Sequence, residues 1–282
     1  IILKRLNLKN KIPELNNWKK LIKKIKSKNK KILKIGLIGK YIEHGDAYIS
    51  VKEALKAASY VNNVKIKIES IAAENLEQQN QKEWDKLKTI NGLVVPGGFG
   101  SRGIEGKIKA IKYARENKIP YLGLCVGMQL AAIEFARYVL KTEDANSTEF
   151  DSKTKNPIIY IMPEQKEKIE NKDYGASMRL GAYPCILNKD SLSYKAYKQI
   201  KILERHRHRY EFNNKYREIL EKAGLKITGI SPDGKLAEII ELKDHPWFVG
   251  TQFHPEFKSR PLRAHPLFRD FIKAAKNKNH EL

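Results

Sequence analysis

The sequence predicts an α/β protein with a mostly parallel central sheet and helices on both faces. Short apolar segments alternate with helix-like segments from residue 32 onward, and glycine-rich turns follow two of the apolar segments. Alternating strands and helices favour a parallel sheet, because each crossover helix returns the chain to the same end of the sheet. Ligands of such sheets bind beyond the carboxyl ends of the strands. The turns after the strands are therefore the first places to search for a site.

The elements of this sheet follow from local patterns. In order, they are predicted at residues 35–39 (strand), 50–58 (helix), 64–71 (strand), 93–95 (strand), 104–111 (helix) and 119–124 (strand). Ser50 and Glu53 have the spacing of a capping box, which predicts that the first helix begins there. Residues 64–71 alternate apolar and charged side chains, as a strand with one covered face does.

A cysteine stands where the strand at residues 119–124 meets the next helix. The motif Gly123-Leu-Cys125-Val-Gly127-Met128-Gln129 is the cysteine form of a nucleophile elbow. Glycines permit a sharp bend, and the start of a helix favours the thiolate form of cysteine. A buried, inert cysteine in a strand–helix unit is the alternative.

The segment Pro96-Gly97-Gly98 follows the strand at residues 93–95. Its spacing matches neither common phosphate-binding loop. Freely orientable backbone N–H groups at a strand end are what an oxyanion hole requires, and a plain tight turn is the alternative. The loop is therefore a candidate oxyanion hole for the cysteine.

Regular periodicity weakens between residues 140 and 200 and returns near the C-terminus. Residues 205–209 alternate Arg and His, which on a strand separates the two types onto opposite faces. Two histidines at this spacing suggest a metal site, but no third ligand is evident. Strands are predicted at residues 235–242 and 247–253, and a final helix from Pro266, with Leu267, Phe268, Phe271 and Ile272 facing inward.

The cysteine needs a base, and the base needs a group that orients it. His254 directly follows the strand at residues 247–253, and Glu256 lies two residues further on. An ordinary loop is the alternative for this His-Pro-Glu segment taken alone. Together with the elbow and the glycine loop, it predicts a catalytic triad of Cys125, His254 and Glu256.

These three motifs together resemble the class I (triad-type) glutamine amidotransferases, whose fold is flavodoxin-like. Further segments resemble the glutaminase domain of the CTP synthase family, and they cover nearly the whole chain: Gly39-Lys-Tyr, Asp46-Ala-Tyr-Ile-Ser-Val-Lys-Glu-Ala-Leu, Asn146-Ser-Thr-Glu-Phe, Met162-Pro-Glu-Gln, Met178-Arg-Leu-Gly-Ala-Tyr-Pro, Arg207-His-Arg-Tyr-Glu and Phe253-His-Pro-Glu-Phe-Lys-Ser-Arg-Pro. The family usually has Leu at position 126. Because Val126 keeps its backbone N–H, little effect is expected.

The resemblance implies that Cys125 attacks the amide carbon of L-glutamine, that His254 transfers protons and that Glu256 orients His254. It implies backbone N–H groups of Gly98 and Val126 as oxyanion donors. The other glutamine-binding positions implied are Gly127, Met128, Gln129, Glu149 and Arg209. Arg209 is expected to pair with the α-carboxylate of glutamine, and Glu149 with its ammonium.

The resemblance also implies that residues 1–31 are an interdomain linker and that residues 32–282 are the glutaminase domain. In the family, ammonia passes to an N-terminal synthetase domain, which aminates UTP with ATP and Mg²⁺. That domain is not in this sequence, so the chain is expected to need no cofactor or metal. The family further implies GTP as an allosteric activator, with Arg179 as a candidate contact, and a homotetramer.

The composition of the chain limits which functional classes remain. The chain has 282 residues, a formal net charge of +23, two cysteines and no apolar run long enough to span a bilayer. Few cysteines indicate a reducing, cytoplasmic setting rather than a disulfide framework. A lysine-rich surface accounts for the charge without specific nucleic-acid binding, because no RNA- or DNA-binding motif is present. The alternatives left open are another amidotransferase glutaminase, a γ-glutamyl hydrolase, a regulatory or assembly module, and a nucleic-acid binder.

Overall fold

Twelve strands are present in the described part of the chain. The structure, a computed structural model, describes residues 1–9, 13–40, 42, 44, 46–161 and 178–278. The strands are β1 Ile32–Gly39, β2 Lys65–Ala72, β3 Gly92–Val95, β4 Tyr121–Leu124, β5 Ala145–Ser147, β6 Asn156–Ile161, β7 Arg179–Leu187, β8 Lys201–His208, β9 Tyr210–Phe212, β10 Leu225–Ile230, β11 Ala237–Leu242 and β12 Phe248–Thr251.

The helices lie between these strands and at both ends. They are α1 Ile2–Arg5, α2 Asn16–Lys26, α3 Ile49–Val61, α4 Ala73–Glu77, α5 Gln81–Lys88, α6 Ile104–Glu116, α7 Val126–Tyr138, α8 Leu192–Tyr197, α9 Arg217–Ala223 and α10 Pro266–Asn277. Two 3₁₀ turns cover Asn214–Tyr216 and Pro255–Lys258. The helix predicted from Pro266 is confirmed, and its four predicted core residues are buried.

The main sheet has nine strands in the order β2-β1-β3-β4-β12-β11-β10-β7-β8. The strands from β2 to β12 pair in parallel, and those from β12 to β8 pair antiparallel. The α/β class is confirmed, and the parallel half matches the prediction. The antiparallel half was not foreseen. Its strands β10, β11 and β12 are joined by short connections, which reverse the chain. A second sheet has the order β5-β6-β9.

Helices cover both faces of the main sheet, as predicted. One apolar core includes residues of α6 and α7, and the other includes residues of α3 and α10. Helix α7 is buried along most of its length, so it is fixed between the sheet and its neighbours. This packing gives the start of α7 a defined position at the carboxyl ends of β3, β4 and β12.

The capping box predicted at Ser50 is wrong. Helix α3 begins at Ile49, one residue earlier, and no side-chain hydrogen bond caps it. Its N-cap residue is Tyr48, which has a left-handed backbone with φ of 60°. The Tyr48 ring lies against Gly39, and its hydroxyl accepts a hydrogen bond from Lys40 N. Packing of the ring against the end of β1 therefore sets the helix start instead of a local cap.

Of the first 31 residues, those that the structure describes (1–9 and 13–31) contribute nothing to the two apolar cores. Helix α2 has an apolar stripe, but its residues Trp18, Ile22 and Ile25 stay between 41% and 47% exposed. No helix among the described residues is long and apolar enough to cross a membrane. Tyr41 and residues 162–165, which belong to the family motifs, lie outside the described residues.

Candidate active site

Cys125 occupies the turn between β4 and α7 with a strained backbone. Its φ of 52° and ψ of −104° lie outside the regions that side-chain-bearing residues normally adopt. The expected bend is therefore present, but it falls on the cysteine and not on its flanking glycines. Gly123 and Gly127 serve close packing instead. A Cβ at Gly127 would lie 2.2 Å from the Val95 carbonyl oxygen, and one at Gly123 would lie 2.7 Å from the Gly127 carbonyl carbon.

The turn is held by hydrogen bonds from the neighbouring strand. The Cys125 backbone N–H donates to the Thr251 carbonyl at 2.6 Å, which ties the elbow to the end of β12. The Gln252 side-chain amide donates to Cys125 Sγ at 3.8 Å. The thiol is only 3% exposed, so a reagent must enter the site to reach it.

His254 lies beside the cysteine, immediately beyond β12. Its backbone N–H donates to the Arg205 carbonyl at 2.8 Å, and its ring stacks on Phe257 with 5.2 Å between centroids. Its Nδ1 lies 2.8 Å from Glu256 Oε1, and its side chain also hydrogen bonds with Cys125. With Nδ1 donating to the carboxylate, Nε2 is left for the thiol. The structure thus brings together the three predicted triad residues.

The surroundings of His254 favour its protonated form. Burial lowers its pKa, but hydrogen bonds to Cys125 and Glu256, together with their negative charges, outweigh burial and raise the pKa to about 10. Glu256 is itself buried, at 7% exposure. An imidazolium stabilised beside a thiol is the arrangement that supports a thiolate nucleophile.

The glycine loop (residues 96–100) packs directly against this pair. A Cβ at Gly97 would lie 2.7 Å from His254 Cε1 and 3.4 Å from Cys125 Cβ, so the loop leaves no room for a side chain there. Lys40 Nζ holds the other end of the loop by donating to the Phe99 and Gly100 carbonyls at 2.7 and 2.8 Å. Lys40 was missed as a site residue, although it lies in the Gly39-Lys-Tyr motif.

Glu149 contacts the glycine loop, and Arg209 lies near Glu149 in the same site. The Gly100 backbone N–H donates to Glu149 Oε1 at 2.9 Å. Burial raises the pKa of Glu149, while this hydrogen bond and the positive charges of Lys40, Arg209 and Lys107 act in the opposite direction. The structure therefore places the carboxylate of Glu149 close enough to Arg209 for the two charges to interact.

Gln129 lies in the first turns of α7 and is 2% exposed. Its Nε2 donates to the Tyr210 carbonyl at 3.0 Å and to Gln252 Oε1 at 3.1 Å, and its Oε1 has no hydrogen-bond partner among the described residues. Gln252 links Gln129 to Cys125, and the sequence carried no signal for it. Its role depends on β12 lying next to β4.

Gly127 and Met128 differ from the other predicted glutamine-binding positions. The Gly127 carbonyl accepts a hydrogen bond from the Tyr121 hydroxyl at 2.8 Å, and the Met128 side chain is fully buried against Gly250. Neither residue has a side chain with a functional group that faces the site. Only their backbone N–H groups, at the helix start, are therefore left to face a ligand.

The alternation is confirmed over residues 205–208 of β8, where the two histidines are buried and Arg205 and Arg207 are exposed, whereas Arg209 follows the strand and is half-buried. His206 Nδ1 and His208 Nε2 lie 2.9 Å apart, and burial followed by the Arg179 charge lowers the pKa of both rings. No group of three metal-ligating side chains occurs among the described residues. Arg179, the candidate GTP contact, forms an ion pair within the fold, since its guanidinium lies 2.7 Å from the buried carboxylate of Glu238.

Comparisons with known proteins agree with this geometry. A family model described as glutamine amidotransferase class-I matches residues 44–274. The glutaminase domain of Trypanosoma brucei CTPS with bound acivicin aligns with a TM-score of 0.81 at 38% identity, covering 87% of this chain and 94% of that one. A glutamine amidotransferase from Thermotoga maritima, at 14% identity and a TM-score of 0.50, shows the fold alone.

Curated relatives are similar over the whole chain. CTP synthase from Caldanaerobacter subterraneus is 56% identical over 277 residues, and that from Clostridium kluyveri is 53% identical over 281 residues. The matches cover 98% and 100% of this chain but 50% and 51% of the relatives, so the chain spans about half their length. The chain belongs to the class I glutamine amidotransferase family. Within that family it groups with the glutaminase domains of CTP synthases.

Proposed function

We propose that this chain hydrolyses L-glutamine to glutamate and ammonia through a thioester on Cys125. The single observation that carries the proposal is the contact of His254 with both Cys125 and Glu256, at the ends of the adjacent strands β4 and β12. A nucleophile, a base and an orienting carboxylate in this order are the parts that acyl transfer requires.

In the first half-reaction, the Cys125 thiolate attacks the amide carbon of glutamine. The carbonyl oxygen becomes an oxyanion beside the backbone N–H groups of Gly98 and Val126. Gly98 is next to Gly97, which touches the cysteine, and Val126 N begins helix α7. Loss of one such donor typically costs about 3 kcal/mol of transition-state stabilisation. The His254 imidazolium then protonates the leaving nitrogen, the C–N bond breaks and ammonia departs.

In the second half-reaction, neutral His254 takes a proton from water, which attacks the thioester carbon. The tetrahedral intermediate collapses with cleavage of the C–S bond, and glutamate leaves with the thiolate restored. Glu256 keeps the imidazole in one tautomer through both steps. The charges of Glu149 and Arg209 support their roles with the α-ammonium and the α-carboxylate of glutamine, and Gln129, Gly127 and Met128 border the same helix start.

Replacement of Cys125 tests the proposal directly. Cys125→Ala is expected to abolish ammonia release from glutamine, whereas Cys185→Ala is expected to leave it unchanged. Cys185 is fully buried, and burial followed by the charges of Glu238 and Glu204 raises the pKa of its thiol. Acivicin, whose chloride is displaced by a thiolate, should modify only the peptide that contains Cys125. Appreciable turnover by Cys125→Ala, or labelling at Cys185, contradicts the assignment.

We further propose that the ammonia serves an ATP- and Mg²⁺-dependent synthetase domain that aminates UTP to CTP, with GTP as activator, in a cytoplasmic homotetramer. The similarity to CTP synthases over half their length supports this part. Residues 1–31, which are outside both cores, fit a connecting segment before a glutaminase domain at residues 32–282. Formation of CTP from UTP, ATP and glutamine by the intact protein is the test. Glutamine hydrolysis with no amination of UTP under any nucleotide condition would restrict the function to a glutaminase or another amidotransferase.

A further inference from the structure

Lys107 is a buried charged residue that the proposed mechanism does not use. It lies on α6, and its side chain is 1% exposed. Its Nζ lies 4.0 Å from a Cβ built at Gly98, so the ammonium is close to the residue whose N–H is the proposed oxyanion donor. Lysine is rarely buried to this extent, because its charge is poorly solvated inside a protein. Its place under the glycine loop therefore calls for a physical reason.

The charges around Lys107 make it sensitive to a nearby anion. Burial and the positive charge of Lys40, at the end of β1, lower its pKa, and the negative charge of Glu149, in the loop after β5, partly offsets them. The resulting pKa is about 7, so the group is protonated only in part near neutral pH. A negative charge that develops next to Gly98 favours the protonated form.

We propose that Lys107 is a positioning residue of this site, whose ammonium acts through the backbone of Gly98 on the negative charge that forms at the substrate carbonyl. The inference rests on the glutaminase function proposed above. A cation close to a peptide group adds to the positive potential that its N–H presents to an oxyanion, and it does so strongly where water is excluded. Since the oxyanion exists only in the reaction, the effect falls on kcat and not on the binding of glutamine.

Lys107→Met tests the proposal, because methionine keeps most of the length of the side chain and removes the charge. In the intact protein at pH 6.5, it should lower kcat for glutamine hydrolysis roughly tenfold, with KM changed less than about twofold. Lys109→Met is the matched control. It removes the same charge from the same helix, where Lys109 Nζ donates to the Glu77 carbonyl at the surface. The control should keep the kcat of the native protein.

The pH dependence separates the proposed role from a purely structural one. Lys107 is charged below its pKa of about 7 and neutral above it. The ratio of native to Lys107→Met kcat should therefore be largest at pH 6.5 and approach one by about pH 9. Ionisations of Cys125, His254, Lys40 and Glu149 are present in both proteins, so they affect the ratio less than they affect either rate.

Three outcomes overturn the inference. They are an unchanged kcat in Lys107→Met, a ratio that does not vary with pH, and a rise in KM with kcat retained, which would mean that Lys107 serves only to hold Glu149. If Lys107→Met does not fold, Lys107→Gln gives the same comparison, and alkylation of Cys125 by iodoacetamide at the native rate checks that the site is intact. If the native protein hydrolyses no glutamine, the proposed function fails first.

Discussion

At the residue scale, the site depends on the strained backbone of Cys125 and on the fixed orientation of the His254 ring. Cys125 holds a strained backbone with positive φ, which costs about 1–3 kcal/mol, and its hydrogen bond to Thr251 helps to offset that cost. His254 is fixed at its backbone by Arg205, at its ring face by Phe257 and at Nδ1 by Glu256. A base fixed on three sides keeps its second nitrogen directed at the thiol, which a freely rotating imidazole would not do.

Glu256→Gln is expected to lower kcat for glutamine hydrolysis by about a hundredfold or more. The carboxylate raises the pKa of His254, so its loss lowers that pKa and reduces the imidazolium that protonates the leaving nitrogen. Because a lowered pKa depletes the imidazolium first at high pH, the variant should lose most activity on the alkaline side. Initial rates of ammonia release from pH 6 to 9 check this. Glu218→Gln, with a side chain 80% exposed, serves as control, and equal losses in both variants contradict the role.

At the element scale, the site is built where three parallel strands end and one helix begins. The glycine loop follows β3, the elbow follows β4, and His254 follows β12 after two residues. Helix α7 must approach the end of β3 closely for these ends to meet, and Gly127 permits this by contacting the Val95 carbonyl. The packing of one helix thus sets the distances within the site.

Gly127→Ala is expected to destabilise the fold by about 3 kcal/mol, because its methyl group would overlap the Val95 carbonyl and force α7 away from the sheet. Gly98→Ala is the matched comparison. A Cβ there meets only Lys107 Nζ at 4.0 Å, so the loss should stay below about 1 kcal/mol. Denaturant unfolding of both variants measures the difference. Similar losses at the two positions would mean that α7 tolerates displacement.

At the scale of the whole molecule, the antiparallel half of the sheet buries ionisable groups beneath the site. Arg179 pairs with Glu238, His206 contacts His208, and His208 Nδ1 lies 3.3 Å from Glu211 Oε1. Both oxygens of Glu211 lack a hydrogen-bond partner among the described residues. Burial, together with the charge of Glu238 and against that of Arg179, raises the pKa of Glu211 from 4.5 to about 8.

This raised pKa predicts that stability falls as the pH rises. Between pH 4.5 and 8, Glu211 stays protonated in the folded chain and ionises in the unfolded chain, so unfolding releases a proton. The free energy of unfolding should therefore fall by about 2–3 kcal/mol from pH 6 to 8.5 on account of this group. In Glu211→Gln the decrease should be smaller than in the native protein by this amount, because His254, whose pKa is also raised, still contributes, and in Glu218→Gln the decrease should be unchanged. Unfolding in urea at both pH values is the measurement, and identical slopes in all three proteins contradict it.

Much of the fold and of the site could be predicted because the signals are local. Strand–helix alternation, the glycine spacing around Cys125 and the His-Pro-Glu segment each depend on a few consecutive residues. The contributions that were missed are not local. Lys40 directly follows β1, Gln252 directly follows β12, and Lys107 lies in α6. Lys40 belongs to a family motif, but no local pattern assigns a role in the site to any of the three. The capping box at Ser50 was wrong for the same reason, since a distant ring contact at Gly39 decides where α3 begins.

By itself, therefore, the sequence determined the α/β class and the family resemblance, and it predicted the triad of Cys125, His254 and Glu256. Only the tertiary structure decided that the sheet continues as an antiparallel half. It also decided that the strained backbone is at Cys125 and that a buried lysine lies close to Gly98. The physical reason is that strand order, close packing and the burial of charge arise from contacts between residues far apart in the chain. The periodicity of the sequence and the spacing of its motifs do not reveal such contacts.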